Sequence, residues 1–137
     1  MPNVRPLNTK KYGINKHAFG TAYSYCMQYP DWKEELNNNT HTVKSPQISG
    51  MPSGGSSGDA TANLARRRVE LQEKIAKVEE TVWEAVNQNV VLYDYLLEYV
   101  TTEGSTFHMM QQKGIPCERT YFYEMRRYFY FLMAKKI

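Results

Sequence analysis

Six side chains in the last quarter of the chain are of the types that bind phosphates and the edges of bases: Lys113, Arg119, Thr120, Tyr123, Arg126 and Arg127. An arginine guanidinium can fork onto guanine or onto a phosphate, while lysine ammonium and threonine or tyrosine hydroxyl groups reach single oxygens. Spacing matters as much as type. On a helix advancing about 100° per residue, with Arg119 as zero, Arg119, Thr120, Tyr123, Glu124, Arg126 and Arg127 fall between about −20° and 140°. Phe122, Met125, Phe129, Leu132 and Met133 fall between about 220° and 320°, with Tyr121 and Tyr128 at the margin. One face is therefore expected to be core and the other polar and basic. Arg119 and Tyr123 share a face near the helix start, where base contacts concentrate, whereas Arg126 and Arg127 are placed to meet phosphate. Lys113, Lys135 and Lys136 would add phosphate contacts. Tyr130 and Phe131 fall on the polar arc and call for a partner, such as another subunit. Three arginines on an amphipathic helix also suit a plain solvated face.

Such a helix needs a scaffold to present it. Ser105 to Lys113 reads as a short helix with Phe107 and Met110 on one face, capped by Ser105 or Thr106. Gly114 supplies a left-handed stop, and Pro116 has a φ suited to the start of the next helix. Short helix, turn, longer helix is a helix-turn-helix over about 105–136, although its turn runs one or two residues longer than usual. Upstream, Ala60 to Thr102 contains neither proline nor glycine. Its Leu64, Leu71, Ile75, Val78, Val82, Ala85, Leu92, Leu96 and Tyr99 follow an alternating three-and-four repeat. A break is expected near Asn87-Gln88-Asn89, where asparagine can cap a new helix. The seam fits intramolecular packing or a homodimeric coiled coil.

Lys16 to Tyr29 reads as a helix with Phe19, Tyr23, Cys26 and Met27 on one stripe, stopped by Pro30, and Asp31 can cap a further short turn through Trp32 and Leu36. The expected organisation is all-α. A helical module at 1–36 docks on the body or on a second subunit, a flexible polar linker covers 37–59, and a helical domain covers 60–137.

The chain of 137 residues suits one ordinary domain with trimmings. Seventeen Lys and Arg against fourteen Asp and Glu give a formal +3, too little by itself to announce a nucleic-acid binder. The distribution is more informative: residues 1–59, 60–103 and 104–137 carry net +2, −3 and +4, a polarised field that offers one end to an anionic polymer. Cys26 and Cys117 lack a second cysteine at metal or redox spacing, and His17, His41 and His108 are scattered, so no cofactor or metal is expected. Without a clustered acid, base or nucleophile, an enzyme is the least expected class. The lack of a charged-then-apolar leader and of a long apolar run leads to an expectation of a cytoplasmic protein away from membranes.

Three pieces in order resemble the RinA/ArpU-like regulators of late transcription in phages and prophages of Gram-positive bacteria. They are Tyr29-Pro30-Asp31-Trp32-Lys33-Glu34-Glu35-Leu36, then Leu96-Leu97-Glu98-Tyr99-Val100 ending a long helix, then Ile115-Pro116-Cys117-Glu118-Arg119-Thr120 before an arginine-containing last helix. The resemblance implies a helix-turn-helix similar to that of sigma-factor region 4, with Arg119 and Thr120 opening the recognition helix and Arg126 and Arg127 continuing it. It also implies double-stranded DNA and RNA polymerase as partners and activation of phage late genes. A homodimer is expected through the long helix, since two half-sites give a small motif the affinity that one lacks. The many tyrosines and phenylalanines of the last helix depart from the more basic helices of that family. A small-terminase-like packaging protein is the rival reading, and a protein-interaction adaptor a third.

Overall fold

The computed structural model describes residues 14–44 and 56–137, and the elements in them are all helices. In chain order these are α1 (Lys16–Met27), α2 (Tyr29–Lys44), α3 (Ser56–Ala85), α4 (Val90–Thr101), α5 (Phe107–Gln112) and α6 (Arg119–Lys136).

Local signals set most of the boundaries. The Asn15 side chain accepts a 2.7 Å hydrogen bond from the Ala18 N–H at the start of α1, satisfying a donor that the first helical turn leaves open. Asn89 does the same for α4, accepting from Val91 and Leu92 at 3.0 and 3.3 Å. The break between α3 and α4 at 86–89 thus falls where the sequence places it, with Asn87 and Gln88 both at positive φ. Asn89→Ala is expected to lower the unfolding free energy by about 1 kcal/mol, and Asn89→Gly by only a few tenths, measured by urea denaturation.

Helix α2 corrects the expected linker at 37–59. It continues to Lys44, and α3 already begins at Ser56, so the linker's two ends are helical and only its middle lies outside the described residues. No proline or glycine occurs between Asp31 and Lys44 to stop the helix, and α3 offers it a packing surface. The two run antiparallel: Tyr29 donates to Glu79 at 2.5 Å, Lys74 stands 5.5 Å over the Trp32 ring, and Arg67 forks onto Glu35 at 2.6 and 2.9 Å. That fork holds the Glu35 carboxyl below the usual range. The clamp is therefore present at neutral pH and is lost as pH falls through the lowered carboxylate value.

One hydrophobic core joins the helices. Leu71, Ile75, Val78, Val82 and Val86 of the α3 region, Leu92, Leu96 and Val100 of α4, and Phe122, Phe129 and Met133 of α6 are buried together with Phe19, Ala22, Tyr23 and Cys26 of α1. The amino-terminal helices therefore dock on the body of their own chain: α1 lies against α6 and α4, and α2 against α3. The seam expected along α3 and α4 is spent on this packing, and of its residues only Leu64 and Tyr99 stay half-buried. That use of the seam favours the intramolecular alternative over a coiled-coil dimer.

Candidate nucleic-acid interface

The turn between α5 and α6 is built by its backbone and anchored by rings. The Thr106 side chain caps α5, accepting from the Met109 N–H at 3.2 Å. Gly114, at φ 92°, ends it with the Ile115 N–H returned to the Met110 carbonyl at 3.1 Å, a left-handed stop that a side chain would strain. Six residues, 113–118, separate the two helices, against about three or four in a standard helix-turn-helix. Behind this turn Phe122 is fully buried, its ring 4.8 Å from Tyr99 and 5.3 Å from Phe107.

In front of those rings the first turn of α6 faces outward. Arg119 and Thr120 are exposed, and the Arg119 guanidinium stands 5.7 Å over the Phe107 ring. Glu118 occupies the N-cap position without a side-chain cap bond, so the helix's leading N–H groups have no side-chain acceptor there. Lys113 is exposed and ion-paired with Glu98, and its carbonyl accepts from the Tyr95 hydroxyl at 3.1 Å. Lys113, Arg119 and Thr120 therefore frame one exposed turn, as the sequence leads one to expect.

The remaining site residues do not share that setting. Arg126, expected on the basic outer face, is 7% exposed. Its guanidinium lies 5.5 Å from the Phe19 ring centre and 5.1 Å from that of Tyr130, and its positive charge opposes the upward push of burial on the Tyr99 hydroxyl. Tyr123 is half-buried against Phe107 and Phe122. Arg127 is partly exposed and paired with Glu124 at 2.7 Å. The cause is a wider and rotated buried arc. Helix α6 packs against both α3 and α1, so the buried residues run from about 240° through zero to about 20° on the same wheel. Tyr130, expected on the polar arc and short of a partner, is 1% exposed, with Phe19 edge-on at 4.9 Å. The partner is α1 of the same chain, and the unclaimed stripe of Phe19, Tyr23 and Cys26 was the signal for it. Leu132, assigned to the core, is half-buried instead.

The rotation leaves an aromatic outer face on α6. Tyr121 and Tyr128, seven residues apart, are 51% and 40% exposed. Phe131 stacks on Tyr128 with ring centres 6.5 Å apart, and the Lys135 ammonium sits 4.3 Å over Phe131. No family model, curated protein or solved structure matches this chain. A second surface feature is a groove of about 350 Å³ beside the α3–α4 break, lined by Glu79, Glu80, Trp83, Val90, Tyr93 and Asp94. Of the cysteines, Cys26 is buried, its thiol pushed up to about 12 by desolvation, and burial also raises that of the half-buried Cys117. Among the described residues, no group of three His, Cys, Asp or Glu could hold a metal ion, and no helix is long and apolar enough to cross a membrane.

Proposed function

We propose that this chain binds double-stranded DNA through the α5–α6 turn and the first turn of α6, with Arg119 and Thr120 reading base edges and Lys113 and Arg127 on phosphates. The observation that carries the reading is the exposed pair Arg119 and Thr120 at a helix start whose N–H groups lack a side-chain cap, set on a buried ring cluster. A helix start supplies partial positive charge and donors to an anion, and rigid anchoring holds the arginine where a groove can meet it. The net +4 of residues 104–137 supports the same end of the molecule. Arg126 takes no part in this reading. Taken with the resemblance to RinA/ArpU-like regulators, the biological role proposed is activation of phage or prophage late genes, with RNA polymerase as a further partner in a cytoplasmic setting.

The test begins with selection of preferred duplexes from a random library, followed by fluorescence anisotropy titrations. Arg119→Ala is expected to relax discrimination between selected and random DNA by about 1–3 kcal/mol. Arg127→Ala is expected to weaken both alike and to flatten the salt dependence by about one unit of slope. Equal losses for both variants on both duplexes would remove the assignment of roles, and a wild-type protein without salt-dependent DNA affinity would remove the reading itself.

The aromatic outer face of α6 favours a second reading, a small-terminase-like packaging or assembly protein, because such a band suits contact between subunits. Stoichiometry separates the two: a closed ring of many subunits belongs to packaging, a dimer to regulation.

A further inference from the structure

The outer stripe of α6 can be tested against itself. Tyr121, Glu124, Tyr128, Phe131 and Lys135 recur at spacings of three, four, three and four, the seam pattern of a helix that packs along another helix. The stripe lies on the far side of the helix from the buried arc, with Tyr121, Tyr128 and Lys135 exposed and Glu124 and Phe131 half-buried. In an antiparallel arrangement with the two-fold axis between residues 129 and 130, Glu124 of one chain stands opposite Lys135 of the other, and Tyr128 stands opposite Phe131. Symmetry repeats both pairs. Other registers lose this match: a shift of one helical turn sets Glu124 against an uncharged side chain and separates the two rings.

We infer that a second copy of this chain covers the outer face of α6, as an antiparallel α6–α6 pair in which Glu124 meets Lys135 and Tyr128 meets Phe131 across a two-fold axis. The interface is not the long-helix seam, which the chain uses for its own core. A pair of helices meeting over about four turns is small for a permanent interface, so the dimer is of the transient, concentration-dependent kind.

Sedimentation velocity of the full chain over a range of concentrations tests the dimer without DNA. The wild type is expected to pass from monomer to dimer, and the dimer to weaken as salt rises. Glu124→Lys and Lys135→Glu each turn two attractive pairs into two repulsive ones, so each is expected to raise the dissociation constant at least about tenfold. An equimolar mixture of the two variants restores both attractions and is expected to dimerise like the wild type. Circular dichroism melts serve as the control that these substitutions leave the fold intact. A wild type that stays monomeric, variants that dimerise unimpaired, or a mixture that fails to recover would each overturn the inference. The two proposals fail separately: a dimer without DNA affinity removes the reading of the helix starts and leaves the α6 pair. DNA binding by a strict monomer does the reverse.

Discussion

Tyr130→Ala is expected to lower the unfolding free energy by about 3–5 kcal/mol, the range for removing a large ring from a close-packed site. Tyr130 is 1% exposed, yet it sits on the flank of α6 that the sequence assigns to solvent. Its ring meets Phe19 at 4.9 Å and 73°, and Phe129 at 5.1 Å and 74°, both edge-on, with the Arg126 guanidinium 5.1 Å from its centre. Truncation removes the surface on which α1 seats and opens a cavity between two helices that cannot collapse independently, because each is held elsewhere in the core. Tyr130→Phe keeps the ring and is expected to keep most of the stability. Burial pushes the Tyr130 hydroxyl upward, so it remains protonated through the ordinary pH range and brings no charge to the core. The check is a urea titration of both variants, completed as a double-mutant cycle with Phe19→Ala. A coupling of about 0.5–1.5 kcal/mol between positions 19 and 130 is expected of an edge-to-face pair. Strict additivity would mean that α1 does not rest on this ring.

The features legible in the sequence are those decided within a few residues. Asn89 and Thr106 are caps because a short side-chain acceptor at those positions meets donors two or three residues on. Gly114 ends α5 because the stop needs a positive φ. Pro30 is a subtler case: it does interrupt the first helix, but the break falls at Gln28 and Pro30 sits in the first turn of α2, where its missing N–H leaves no intrahelical bond unmade. The features read wrongly depend on contacts distant in the chain. Nothing local calls for helix beyond Leu36, although no proline or glycine stops it, and α2 as a whole packs along α3. Likewise the helical wheel of α6 identifies an apolar arc but not its edges, which are set by how many neighbours the helix has. With α3 alone, the flank that carries Arg126 and Tyr130 would be open. With α1 added, it closes. The exposed start of α6 was legible because the turn that frames it is local. The burial of Arg126 was not, because Phe19 is 107 residues away.

Arg126→Ala is expected to cost about 2–4 kcal/mol of stability while leaving the DNA affinity of the folded protein within about twofold of wild type. Two aromatic faces, one from α1 and one from α6 itself, flank a guanidinium removed from water. Its attraction to both rings is strengthened by desolvation, and its three methylenes fill space between the helices. Truncation to alanine loses both contributions. Arg126→Met separates them, because methionine supplies a flexible apolar stem without the charge that had to be desolvated. Buried charges replaced by well-packed apolar groups often leave stability unchanged or improved, so Arg126→Met is expected to recover most of the loss. Arg119→Ala should give the mirror-image result, since Arg119 is exposed at the start of α6: an unfolding midpoint close to wild type, with DNA discrimination relaxed. Measuring denaturation midpoints and DNA titrations on all three variants places the function on one arginine and the stability on the other. If Arg126→Ala kept the wild-type midpoint and lost DNA affinity, the guanidinium would have to reach past α1 into solvent, and the assignment of α1 as its cover would be withdrawn.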